Sequence, residues 1–296
     1  MSILGAIVGR SDRIAAAFRR FGLAKPLRCA VNLLDRLFIG IGTPPLRVKT
    51  HGVVMYGYFR HIRYLRLIAS QAHEAYALRI LERHLRPGYV FVDGGAHIGL
   101  YALYASRLIG QQGMVVAFEP DRLNVQTLKF NVAKNKASNA IVVSKALSDK
   151  VEDRDFYRSQ TTLSGSLLNR KDVETFGKSL VQTTTLDHEL ADSDLIPPRR
   201  NVLVKLDLEG AEPQALQGMK EFLLRTRNVG MLIEINPCAL ANAGDTPDVL
   251  YDFLLKHGFA IQYVDERQGK LVPFEQRRNA FKGNLFCVKG TIGQER

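Results

Sequence analysis

A chain of 296 residues can bury one sizeable α/β core with an appendage and is too short for two large domains. With 46% hydrophobic and 24% charged residues it is neither disordered nor collagen-like. The three cysteines, Cys29, Cys238 and Cys287, form no CxxC pair, which excludes a disulfide framework and a thiolate zinc site and fits a reducing compartment. The net charge of +12 sits almost wholly at the front, where Met1 to Tyr89 holds 15 Lys and Arg against 4 Asp and Glu. Such a surface suits an anionic partner, whether phospholipid headgroups, an acidic glycan or lipid-linked saccharide, or nucleic acid; it equally suits a plain solvated face. The apolar run in MSILGAIVGR is too short for a signal-peptide core, and no stretch of about 18 apolar residues spans a membrane. The expected location is the cytoplasm, with at most a peripheral contact to the inner face of a membrane.

In chain order, Leu27, Val31, Leu34, Phe38 and Ile41 recur at three- and four-residue steps, which predicts an amphipathic helix. Gly40, Gly42, Pro44 and Pro45 end it, and Val48 to Phe59 reads as short strands around turns at Gly52 and Gly57. Ser70 to Leu85 returns to helical spacing through Ala75, Leu78 and Leu81, and Pro87-Gly88 stops it. This predicts a basic appendage over residues 1–84 and a main domain over residues 85–290.

From Tyr89 onward, strand-length apolar runs alternate with helical stretches, the sign of a Rossmann-like parallel sheet with helices on its faces. Seven strands are expected: Val90 to Asp93, Met114 to Glu119, Ala140 to Ser144, Val202 to Asp207, Gly230 to Ile235, Ala260 to Val264 and Leu285 to Lys289. Between Val151 and Leu190, Asp155 to Tyr157 and Val181 to Leu186 flank a polar stretch, which reads as an inserted hairpin with a loop. The loop segment TTLSGSL, Thr161 to Leu167, offers the hydroxyls of Ser164 and Ser166 to a substrate or to water.

The chemistry-bearing residues fall at strand ends. VFVDGGAHIGLYALYAS, Val90 to Ser106, is a buried strand, an acid at its carboxyl end, a glycine turn and a helix, and ligands of open α/β sheets bind at that edge. Gly94, Gly95 and Gly99 let the backbone turn tightly and approach a ligand, and Asp93 is placed to hold a cationic amino group. The spacing D-x-G-x-x-x-G departs from G-x-G-x-x-G and weakens a nicotinamide dinucleotide reading. Glu119, 26 residues beyond Asp93, is placed to accept from both hydroxyls of a ribose. In KALSD, Ala146 or Leu147 can pack on a base and Asp149 can receive its amino group, or serve only as a turn residue. NVLVKLDLEGAEPQALQGM brings Asp207, Glu209 and Glu212 to the same edge as a proton acceptor or cation site, with helix capping the alternative for Glu212. Glu234 and Asn236 in MLIEINP are expected to face the same cleft.

VDGGAHIGLY, VVAFEP, KALSD, KLDLEGAE and LIEINP, in this order and with these gaps, resemble the FkbM family of S-adenosylmethionine-dependent methyltransferases over about Glu74 to Val288. The resemblance implies a class I methyltransferase fold with six parallel strands and one antiparallel strand, and O-methylation of a hydroxyl on a sugar, glycan, glycolipid or polyketide-like acceptor. It implies that S-adenosyl-L-methionine is held by Glu74, Asp93, Gly94, Gly95, Ala96, Gly99, Glu119, Pro120, Ala146, Asp149 and Asp207. It further implies an acceptor near Ser164, Ser166, Glu212, Glu234 and Asn236. His97 stands where many relatives have Asn, and Gly94 where they have Val. Asp207 is the expected base, with Glu209 and His97 in reserve. A divalent metal is not expected, because no His pair accompanies the carboxylates, although magnesium on carboxylates alone stays open. A nucleic-acid methyltransferase is the lesser reading, since no RNA-binding module and no NPPY-type tetrapeptide is present. A non-catalytic binding protein is lesser still, because Asp93, Gly95 and Glu119 are intact.

Overall fold

The computed structural model describes residues 24–159, 165–191, 200–276 and 281–293. Its first element, α1 (Ala24–Ile41), is the expected amphipathic helix, but its faces are assigned differently. Leu34 and Ile41, two residues of the predicted apolar face, are 40% and 63% exposed, together with Leu33 and Leu37. The inward face is instead set by Asp35, whose carboxylate accepts the N–H groups of Phe59 (2.7 Å) and Arg60 (3.3 Å), and by Phe38, whose ring lies 5.9 Å from that of Phe59. A buried carboxylate satisfied by two N–H donors outranks the leucine pattern.

An antiparallel hairpin follows, β1 (Leu46–Thr50) and β2 (Val53–Gly57). It turns at His51–Gly52, both at positive φ as a primed two-residue turn requires, and Gly57 closes the second strand rather than turning it. A 3₁₀ turn (Phe59–His61) leads into α2 (Ile62–Ala69), a helix the sequence pattern did not announce. The helix expected from Ser70 begins only at Ala75, as α3 (Ala75–His84). Gln71 and Glu74 sit at positive φ, and the first turn of α3 is capped from far away by the carboxylate of Glu266, 2.8 Å from the N–H of both Tyr76 and Ala77.

The main sheet starts with β3 (Val90–Gly94), α4 (Leu100–Ile109), β4 (Met114–Phe118), α5 (Arg122–Lys134) and β5 (Ala140–Val143). The expected insertion is real: β6 (Ala146–Leu147), β7 (Asp153–Ser159) and β8 (Thr175–Thr184) form a separate three-stranded sheet in which β7 and β8 are an antiparallel hairpin. After α6 (Leu186–Ala191) the chain re-enters the main sheet as β9 (Val202–Leu206). Then come α7 (Glu212–Gln217), α8 (Lys220–Arg225), β10 (Val229–Ile235), α9 (Pro237–Ala243), α10 (Pro247–Lys256), β11 (Ala260–Asp265), β12 (Lys270–Pro273) and β13 (Gly283–Lys289).

All seven expected strands are present, and the main sheet holds eight, in the order β5-β4-β3-β9-β10-β13-β11-β12. Six run parallel and β13 runs against them; the eighth, β12, is an added antiparallel edge folded back from β11. Its two inner residues, Leu271 and Val272, are too few to register as a strand-length apolar run. Strands β3 and β9 are buried on both faces, which is why they read as unbroken apolar runs. Alternate residues feed two cores: Phe91, Val115 and Leu203 on one face, and Val92, Val116 and Val204 on the other. Residues 46–84 share the first core through Met55, Leu65, Ile68, Leu78 and Leu81. The order reverses at β3, which has β4 on one side and β9 on the other, so the carboxyl ends of β3 and β9 form the switch point where such sheets bind ligands.

Candidate active site at the switch point

A cavity of about 230 Å³ opens at this edge, walled by the ends of β3, β4, β9 and β10, by the insertion, and by residues 60–74. Asp93 is 1% exposed, and its Oδ2 has no hydrogen-bond partner among the described residues. Burial pushes its carboxyl up to about 6, with Lys205 pulling the other way. The glycines beside it answer to protein neighbours. A Cβ on Gly95, at φ 79°, would fall 2.0 Å from the Asp207 carbonyl oxygen; on Gly99, at φ 97°, it would fall 2.3 Å from Leu128. Gly94 packs against Leu206 and Leu147. Gly94 and Gly99 therefore fit strands and helix together and lie off the cavity wall, whereas Gly95 lines it.

Glu119 ends the second wall, 4% exposed. Its Oε2 accepts the N–H of His97 (2.8 Å); its Oε1 accepts the N–H of Asp121 (2.8 Å) and the Asn124 amide (3.3 Å). The orientation of Asn124 is fixed in turn by His61. The N–H of Tyr58 donates to His61 Nδ1 (3.1 Å), so the ring proton sits on Nε2 and is donated to Asn124 Oδ1 (3.1 Å). Burial pushes the Glu119 carboxyl up to about 8, against these donors. Between about pH 4.5 and 8 the folded protein holds a proton that the unfolded chain has released, so this contribution to stability falls as pH rises through that window. Glu119→Gln has no such proton to lose. Its melting temperature is expected to drop less than the parent's between pH 6 and 8.5, and parallel curves would refute the assignment.

His97, at φ 53°, packs edge-on against Tyr64 (4.6 Å between ring centres) and His61 (5.6 Å). Burial lowers its imidazole to about 4, and both ring nitrogens are buried without a partner among the described residues. It is a neutral ring with a free donor and a free acceptor, too weakly basic to take a proton at neutral pH.

The third wall carries the acids of β9 and β10. Lys205, 2% exposed, donates to Asp207 Oδ2 (2.9 Å) and lies 4.5 Å above the Tyr101 ring. Burial acts to raise the Asp207 carboxyl, but the Lys205 ammonium and its hydrogen bond hold it below the ordinary range. Glu209, at φ 54°, is pushed up to about 7 by burial and by the charge of Asp207, against the pull of Arg170. Arg170, 5% exposed, reaches in from the insertion: Nη1 donates to Glu209, while Nε and Nη2 grip Asp172 at 3.1 and 2.6 Å. Burial and the charges of Asp207 and Glu209 push the Glu234 carboxyl well above the ordinary carboxylate range. One oxygen from each of Asp207, Glu209 and Glu234 lies within 4.8 Å of the others. Two of the three already face a side-chain cation.

Other expected residues divide cleanly. Glu74, Ala96, Pro120, Ala146 and Ser166 line the cavity. Glu74 accepts from Tyr101 (3.1 Å) and Asn284 (3.2 Å), and Ser166 donates to the Glu209 carbonyl (3.1 Å). Asp149 is exposed and off the cavity, accepting from Ser148 (3.1 Å). Glu212 is turned away from the cleft: its two oxygens take the N–H groups of Leu208 (2.7 Å) and Gly210 (3.0 Å), bracing the turn ahead of α7 rather than capping the helix itself, so neither the cleft role nor the helix cap is what its hydrogen bonds serve. Asn236 also leaves the cleft; its side chain caps α9 at the N–H of Ala239 (3.4 Å), ahead of Pro237. Ser164 lies outside the described residues. The sequence reading missed Arg60, Tyr64, His73 and Lys205, which also line the cavity, and Arg170 behind it. Only Lys205 left a signal, a cation in the middle of an apolar strand.

Residues 93–261 match the model of the methyltransferase FkbM domain family, more than half of the chain. No curated protein matches. Among solved structures, the methyltransferase FkbM from Methylobacillus flagellatus is similar at 16% identity and TM-score 0.43, covering 77% of this chain and 55% of that one. The chain thus spans little more than half the length of that relative. A SAM-dependent methyltransferase from Aquifex aeolicus shows 14% identity and TM-score 0.36 over 72% of this chain and 87% of its own. An rRNA methylase from Streptococcus thermophilus shows 11% and 0.40 over 74% and 95%.

Proposed function

The chain belongs to the FkbM family of methyltransferases, built on the class I methyltransferase fold with an eight-stranded sheet, and from that premise we propose that it methylates a hydroxyl oxygen. The acceptor proposed is a sugar, a glycan or glycolipid, or a polyketide-like molecule, and the methyl donor is S-adenosyl-L-methionine. The observation that carries this reading is one cavity that holds both an unpartnered Asp93 oxygen and a cluster of three carboxylates of unequal proton affinity.

The residues fit the donor. Asp93 Oδ2, a buried acceptor without a partner, suits its ammonium group, and the free donor and acceptor of His97 suit a polar ligand beside it. Glu119 is placed for the ribose hydroxyls, and Ala146 and Leu147 offer an apolar wall for the base. When bound, the donor supplies an already activated methyl group, so the protein has chiefly to position the oxygen and accept its proton. Positioning supplies about 7–11 kcal/mol in favourable cases. Among the acids, Asp207 is held low and orients the hydroxyl, Glu234 is pushed well above the ordinary range, and Glu209, at about 7, is matched to take the proton at neutral pH. Glu209 therefore replaces Asp207 as the proposed base.

Calorimetry with S-adenosyl-L-methionine is expected to show binding that Glu119→Ala loses by tenfold or more. Transfer of labelled methyl groups to fractionated extracts is expected to mark a hydroxylated small molecule or glycan. Undiminished binding by the variant would overturn the donor placement; label confined to RNA or protein would overturn the acceptor class.

A further inference from the structure

Helix α1 turns one side to the protein and the other outward. Leu33, Leu34, Leu37 and Ile41 fall within an arc of about 100°. They are 69%, 40%, 58% and 63% exposed. Asp35 lies across the helix from this arc and Phe38 on its flank, and these two residues dock the helix on the 3₁₀ turn. Between Ala24 and Ala69 the sequence carries eight Lys and Arg and one acid, and that acid is Asp35, which is buried. No residue in this stretch therefore presents a negative side chain to solvent. Arg36 stands exposed beside the stripe, and Arg47, Lys49 and Arg63 are exposed on the elements that follow. The sequence just ahead of α1 adds Arg10, Arg13, Arg19 and Arg20 against Asp12.

We propose that the outward face of α1 docks on an anionic lipid bilayer, its leucine stripe among the acyl chains and its basic neighbours among the headgroup phosphates. Charge complementarity selects this occupant. A second copy of the chain meeting through the same face would set positive surfaces against each other, and a nucleic-acid backbone offers the leucines no apolar partner. The helix lies on the surface, since no described helix is long and apolar enough to cross a membrane.

Flotation of the full chain with vesicles, without donor or acceptor present, tests this independently of any methyl transfer. Recovery with vesicles of phosphatidylcholine and phosphatidylglycerol in equal parts is expected to exceed recovery with phosphatidylcholine alone by about tenfold or more. It should fall steeply with added salt. The triple variant Leu33→Ser, Leu37→Ser, Ile41→Ser touches exposed side chains, so it should melt as the parent does and lose the interaction at least tenfold. The proposal fails if the variant floats like the parent, if neutral vesicles recover the chain equally, or if the parent stays unbound. It also fails if the substitutions only convert a dimer to a monomer on size exclusion, or if only RNA retains the parent.

Discussion

Replacing Glu209 with Gln is expected to lower kcat by about 10²- to 10⁴-fold, the usual share of a placed base. The proposed donor corner at Asp93 and Glu119 is left intact, so donor affinity should hold. The pH profile is the sharper test. Glu209 acts in its ionised form and titrates near 7, so the parent's kcat should climb as pH rises through that value, and the Gln variant should lose this limb. Two neighbours shift the limb in opposite directions. Asp207 raises the Glu209 carboxyl by its charge, so Asp207→Asn should move the limb toward acid; Arg170 lowers it, so Arg170→Gln should move it toward alkali. A variant at 209 that keeps both rate and limb would return the base to Asp207 or to a group not yet named.

The second large effect concerns where the catalytic unit begins. A chain starting at Leu85 is expected to give no soluble, cooperatively melting protein. Leu46, Val53, Met55, Leu65, Ile68, Leu78, Ile80 and Leu81 are all buried, and they cover Phe91, Ile98, Leu103 and Val115 of the main domain. Burying one such side chain is worth about 1.5–3 kcal/mol. Uncovering that face therefore removes a sum comparable to the 5–15 kcal/mol by which whole proteins are stable. It would also strip Arg60, Tyr64, His73 and Glu74 from the cavity wall. Soluble yield and a circular-dichroism melt decide the matter, and a fragment that melts in one transition and binds donor would restore residues 85–290 as an independent domain.

What could be read in the sequence follows the range of the interactions concerned. Strands β3 and β9 announced themselves because burial on both faces leaves an unbroken apolar run, and Asp93, Glu119 and Asp207 stood out as acids at the carboxyl ends of such runs. The Asn236-Pro237 pair carries a local capping signal, and the structure honours it over a place in the cleft. Other features have no local trace. The start of α3 depends on Glu266, 189 and 190 positions away, and the setting of Asn124 depends on His61, 63 positions away. Arg170 meets Glu209 across 39 residues from inside the insertion, where its sequence looks like any solvated loop. The outward stripe of α1 failed for a related reason: periodicity finds a helix and its apolar residues, while a single buried carboxylate, Asp35, decides which side faces in.

Ser166 and Leu167 line the cavity, and Ser166 and Arg170 bond Glu209 through its carbonyl and its carboxylate, from a stretch that belongs to none of the eight strands of the main sheet. Under the proposed function, that separation would make acceptor preference an exchangeable part. On the same reading, substitution at those few positions would redirect acceptor choice while the proposed donor corner, where Gly95 leaves no room for a side chain beside the Asp207 carbonyl, is passed on untouched. Divergence between lineages, and any deliberate retargeting, should therefore concentrate on the insertion rather than the sheet.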